Sequence, residues 1–137
     1  MSLNVFKWGS YVGFAGLLFS VVTSVHALGL GNLDLQSRLN QRFSANIPVI
    51  VPADVDATEI SVQLATTSHF ERAGLKKTGT VTRLQFSPER RADGQMIIAV
   101  TSLSRVTEPM VSFVLEVQQG GTKTLRTYNA MLEAPAH

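Results

Sequence analysis

The side chains able to do chemistry are few and scattered. Downstream of residue 27 the imidazoles are His69 and His137. A nucleophilic triad needs a Ser or Cys, a base and an acid that orients it. The chain has no cysteine, and no serine lies in a Gly-x-Ser-x-Gly turn. A glycosidase needs two carboxylates facing one cleft. Glu59, Glu71, Glu108, Glu116 and Glu133 are available, but no spacing pairs them. Glu116 alternates with large apolar residues, so it reads as a plain outward surface residue. His69 has no His, Cys or paired acid beside it and reads as a surface helix residue rather than a ligand. These observations predict no enzyme, no cofactor and no metal site.

One segment stands apart. Ser104-Arg105-Val106-Thr107-Glu108-Pro109 joins two strand-like runs, and Pro109 sets the chain direction into the second. Arg105 and Glu108 are spaced to pair across this turn. A structural corner accounts for the segment. The sharper reading makes Arg105, Thr107 and Glu108 a partner contact on this loop. The other basic residues are dispersed, with Lys76-Lys77 and Arg90-Arg91 the adjacent pairs. They fit solvated turns, and nothing argues for nucleic acid.

The elements that must position these groups are strands. Val111, Phe113, Leu115 and Val117 alternate with Ser112, Val114, Glu116 and Gln118, a period of two that puts four apolar side chains on one sheet face. Gly120-Gly121 then predicts a hairpin turn, with a return strand from Thr122 to Leu132 that faces Tyr128, Ala130 and Leu132 inward. Met96 to Thr101 is a run of β-formers before this unit. Upstream, Leu28-Gly-Leu-Gly-Asn reads as a flexible opening. Leu33, Leu35 and Leu39 form a first strand interrupted by a bend or bulge at Ser37. Phe43, Ala45, Ile47 and Val49 form a second, which Pro48 assigns to a sheet edge. Glu59 to Leu64 is a third. A short helix follows, capped by Thr67 and ended by Gly74. Val81 to Phe86 reads as a strand and Pro88 to Gly94 as a charged loop. The expected fold is all-β with one short helix, an antiparallel, immunoglobulin-like β-sandwich of about seven strands.

Residues 1–27 have the pattern of a secretory signal. Lys7 precedes an apolar run from Tyr11 to Val22, and Val25-His26-Ala27 offers small residues to a signal peptidase. The run is shorter than the ~20 residues that cross a bilayer. Cleavage between Ala27 and Leu28 is therefore expected, leaving residues 28–137 as one domain with no membrane span. The formal charge of +2 includes Lys7 and falls to +1 without it. Export without a cysteine means that the core holds the fold unaided.

The order of these motifs resembles a known family. Leu28-Gly-Leu-Gly, Leu33-x-Leu-x-Ser37-x-Leu39-Asn40-Gln41 and Ala45-x-Ile47-Pro48-Val49 are similar to the N-terminal periplasmic domain of FimV-type pilus assembly proteins. Phe70-x-x-Ala73-Gly74, Leu84-x-Phe86, Val106-x-Glu108-Pro109 followed by Phe113-x-x-Glu116-Val117, and Arg126-x-Tyr128 extend the match to Pro135. The resemblance implies a non-enzymatic periplasmic domain serving type IV pilus assembly, twitching motility or cell-pole organisation. It implies partners among pilus or secretion envelope proteins, or peptidoglycan. Longer members carry a LysM module, a transmembrane helix and an acidic cytoplasmic region. The sequence to His137 contains none of these, which fits a stand-alone paralogue or a shortened product. Arg42 stands where the family often has proline. A second reading is a chaperone-like sandwich that binds a partner strand by β-augmentation, at the Thr122–Leu132 edge in preference to the Pro48 edge.

Overall fold

The computed structural model describes residues 28–135. Ala27, His137 and the leader pattern lie outside the described residues. The described residues form eight strands: β1 (Gly29–Leu30), β2 (Asp34–Leu35), β3 (Gln41–Ile50), β4 (Ile60–Leu64), β5 (Gln85–Arg90), β6 (Met96–Val106), β7 (Met110–Gln119) and β8 (Thr122–Met131). A 3-10 turn at Ala57–Glu59 precedes β4, and α1 (Thr67–Arg72) and α2 (Gly79–Thr82) separate β4 from β5. One sheet has the order β8-β7-β4. The other has the order β1-β3-β6-β5, with β2 also paired to β3. Every pairing is antiparallel. The fold is the expected all-β sandwich.

The alternating residues meet between the sheets. Phe43, Ala45, Ile47 and Val49 of β3 are buried, as are Val111, Phe113, Leu115 and Val117 of β7 and Tyr128, Ala130 and Leu132 at the end of the chain. Phe113 is fully buried. Its ring lies 5.7 Å from those of both Phe86 and Tyr128. The β7–β8 register pairs Gln119 with Thr122, so Gly120-Gly121 is the whole loop. Gly120 has φ +62°, and Gly121 stays at negative φ, the pattern of a type II′ turn.

Several local expectations are corrected. The opening Leu28-Gly-Leu-Gly is ordered structure: Leu28 is buried and Gly29–Leu30 pairs with Val49–Ile50. Pro48 is not on an edge, because β3 lies between β6 and the short strands β1 and β2. The Pro48 carbonyl accepts from the Gly31 N–H at 2.8 Å. In a strand, the nitrogen of a residue faces the same side as its carbonyl. The missing N–H of Pro48 therefore faces Gly31, just past β1, whose carbonyl accepts from Arg126 and the Tyr128 hydroxyl instead. The α1 cap is Thr66 rather than Thr67. Gly74 does end that helix, at φ +75°. Val81 to Leu84 is not strand. The Thr78 hydroxyl accepts from the Val81 N–H, and this cap turns the chain into α2. The expected charged loop shortens, since β5 runs to Arg90 and carries Pro88 on a true edge strand.

Candidate functional site

The site is built around an irregularity in β6. Arg42 pairs with Arg105 and Ser44 with Thr101. Between these pairs β3 has Phe43 alone, while β6 has Ser102, Leu103 and Ser104. The surplus bulges out of the ladder. Ser102 holds the bulge: its buried hydroxyl accepts from the Phe43 N–H at 2.8 Å and donates to the Ser104 carbonyl at 2.7 Å. One side chain thus replaces a lost ladder bond and keeps a buried N–H satisfied. The bulge displays Leu103, which is 71% exposed.

On its other side, this end of β6 has no strand partner among the described residues. Pairing with β5 starts at Gln85 opposite Thr101 and runs away from the bulge. The α2 turn stands off instead, and a hollow of about 400 Å³ lies between Ser102–Val106 and Thr80–Gln85. Arg83 and Arg105 line it, and no carboxylate does. Arg42 lies opposite Arg105 across the β3–β6 ladder. Like charges directly opposite in a sheet cost about 0.2–1 kcal/mol. Nothing offsets that cost: the ion pairs among the described residues join Arg38 to Glu133 and Lys123 to Glu116.

The three corner residues separate. Arg105 lies within β6 and faces the larger hollow. Glu108 lines a neighbouring hollow of about 170 Å³ together with Lys76 and Met110. Thr107 is exposed between them. The expected Arg105–Glu108 pair does not form among the described residues: Arg105 is still on β6, while Glu108 lies in the connection to β7 and lines the other hollow. Sequence reading missed Arg42, Arg83 and Leu103 as members of the site. The available signal was Ser102 and Ser104 flanking Leu103, since serines that bond backbone compete with a ladder.

Two other polar groups depart from expectation or from the surface norm. Glu116 is not a plain surface residue but only 5% exposed. Strand β7 is central in its sheet, so Glu116 is flanked by Gln63 on β4 and Leu125 on β8. The Gln63 amide donates to its carboxylate at 2.8 Å, and Lys123 approaches to 4.0 Å. Arg126 of β8 reaches across to the first strand segment. Its guanidinium donates to the carbonyls of Leu30 and Gly31 at 2.5 and 3.0 Å and to Asn32 Oδ1 at 2.7 Å. The Tyr128 hydroxyl donates to the same Gly31 carbonyl at 2.9 Å. Burial raises the Tyr128 phenol above its ordinary 10.0, while the charge and hydrogen bonding of Arg126 pull it down.

His69 is half-buried, with Nδ1 2.9 Å from the Thr66 hydroxyl. Among the described residues no group of three or more His, Cys, Asp and Glu is placed to hold a metal. No described helix is long and apolar enough to cross a membrane.

Comparison with known proteins places the architecture. The family model of the FimV N-terminal domain, an Ig-like domain, matches residues 28–135. The motility hub protein FimV of Pseudomonas aeruginosa, in strains PAO1 and UCBPP-PA14, is 35% identical over 120 residues. That alignment covers 86% of this chain and 13% of each relative. No solved structure matches.

Proposed function

The chain belongs to the FimV N-terminal domain family, and from that membership we propose that it works by binding, as a periplasmic accessory domain of envelope machinery. The processes it serves are type IV pilus assembly, twitching motility or organisation of the cell pole. The observation that carries this reading is the family match over all but the last residues of the domain, 28–135. It is supported by the likeness to proteins called motility hubs. The chain spans 13% of those relatives, so their other parts contribute nothing to the inference. The partners are pilus or secretion envelope proteins, or peptidoglycan. The corner at Arg105, Thr107 and Glu108 is the proposed contact region, now centred on Arg105.

A strain lacking the gene tests the reading. Loss of piliation, of twitching or of polar protein placement is the expected result; normal behaviour in all three sinks it. Periplasmic pull-down with the tagged chain then identifies the partner class. The second reading, strand capture, is favoured by one observation: β8 is a ten-residue sheet edge. Recovery of unfolded pilin subunits alone would put that reading ahead.

Export belongs to the same proposal. Mass spectrometry of the protein from the periplasmic fraction is expected to find Leu28 at the N-terminus, with residues 1–27 removed between Ala27 and Leu28. A membrane-bound form that begins at Met1 would refute it.

A further inference from the structure

We propose that the hollow beside the β6 bulge docks an acidic, partly apolar peptide segment of a partner protein, with Arg42, Arg83 and Arg105 receiving its carboxylates and Leu103 its apolar side chain. The inference rests on the binding reading and deepens it, because it gives the contact region around Arg105 a ligand chemistry that can be tested with purified protein.

Three observations converge. First, the charge on this face is one-sided. Arg83 and Arg105 line the hollow with no carboxylate among its walls. Arg42 sits directly opposite Arg105. None of the three arginines is in an ion pair among the described residues. A cross-strand pair of like charges is kept at a cost in stability. An anion between the two guanidiniums would turn that repulsion into attraction, and Arg is the side chain best shaped to take carboxylates.

Second, the bulge carries an apolar side chain on the exposed face. Ser102 pins the backbone from beneath, and Leu103 stands 71% exposed in the hollow. An exposed leucine alone is ordinary. Here it is mounted on a buried, hydrogen-bonded support and bordered by cations. A carbohydrate or nucleic acid polyanion would use the arginines and ignore the leucine. A peptide alternating acidic and apolar residues would use both.

Third, the size fits. A hollow of about 400 Å³ takes a few side chains of an extended segment.

Fluorescence anisotropy with a short labelled peptide of alternating glutamate and leucine decides the matter. The expected result is saturable binding that weakens as salt rises. The double variant Arg42→Glu with Arg105→Glu should raise Kd by about tenfold or more, as should Arg83→Glu on the opposite wall. Leu103→Ser should weaken this peptide while leaving binding of a pure polyglutamate unchanged. Arg42→Glu alone should raise the unfolding midpoint slightly, because it replaces a repulsive pair with an attractive one, while it weakens peptide binding. Three outcomes overturn the proposal. They are no binding of the glutamate–leucine peptide, binding indifferent to charge reversal at both walls, and heparin bound as tightly as the peptide with no effect of Leu103→Ser. Each leaves the envelope role untouched, since the deletion strain decides that separately.

Discussion

Phe113→Ala is expected to lower the stability of the domain by about 3–5 kcal/mol. The side chain is fully buried at the middle of β7, between the rings of Phe86 from one sheet and Tyr128 from its own. Truncation removes its transfer free energy and leaves a cavity that rigid aromatic neighbours cannot close. Domains of this kind have roughly 5–15 kcal/mol in total, so the variant is left near the limit of folding. The neighbouring Ser112→Ala is the control. Ser112 is half-buried on the other face, and its hydroxyl donates to Asn129 Oδ1 at 2.6 Å in an exposed cross-strand contact. That change should cost about 1 kcal/mol or less. Urea unfolding of the two variants side by side measures the difference. Equal midpoints would mean that the face of β7 has been assigned wrongly.

Arg126→Met comes next in size, with an expected loss of about 1.5–3 kcal/mol. The guanidinium is the tie between β8 and the segment after β1, through the carbonyls of Leu30 and Gly31 and the side chain of Asn32. Methionine keeps much of the apolar stem and removes the donors. Gly31 still accepts from Tyr128, whereas the Leu30 carbonyl loses its charge-assisted partner. A second readout is independent of stability. Arg126 holds the Tyr128 phenol down against its burial, so its removal should send the phenol to a still higher pKa. Tyr128 is the single tyrosine in residues 28–137, which makes phenolate absorbance a clean probe. The sign follows from linkage. A phenol raised above 10.0 holds its proton more tightly when folded, so its contribution to stability is complete below pH 10. That contribution is lost as pH rises from the unfolded value through the folded one, and in the variant the loss should extend to higher pH and be larger in total. An unchanged titration together with an unchanged midpoint would show that Arg126 is not a tie.

The parts of the fold legible along the chain are those fixed by local backbone geometry. A period of two must place Val111, Phe113, Leu115 and Val117 on one face, whatever lies opposite. Gly120 supplies the positive φ of a two-residue hairpin and Gly74 the end of α1, because those conformations exclude most other residues. Family likeness could be read from the same positions, since it rests on their order and spacing. Local reading failed where two local preferences competed. Val81 to Leu84 has strand-like composition, yet the Thr78 hydroxyl caps Val81 and the segment turns into α2. Pro48 was assigned to an edge by a rule about ladder bonds; here the strand is internal, and the carbonyl of Gly31 that Pro48 cannot serve accepts from Arg126 and Tyr128 instead.

The candidate site was legible at one residue, Arg105, and there for its place at a corner rather than for its company. By itself the sequence determined the strand faces, the turns, the all-β class and the absence of any spacing that builds a catalytic motif. Tertiary structure alone decided which strands lie side by side. Glu116 became buried because Gln63, 53 positions earlier, lies beside it. The β6 bulge exists because the Phe43 N–H finds the Ser102 hydroxyl 59 positions away. Arg42 meets Arg105 through the same pairing. Alternation is a property of one strand's backbone and is written in a window of a few residues. Neighbourhood across a sheet is a property of two strands whose register is set by the whole core, and no window along the chain contains both.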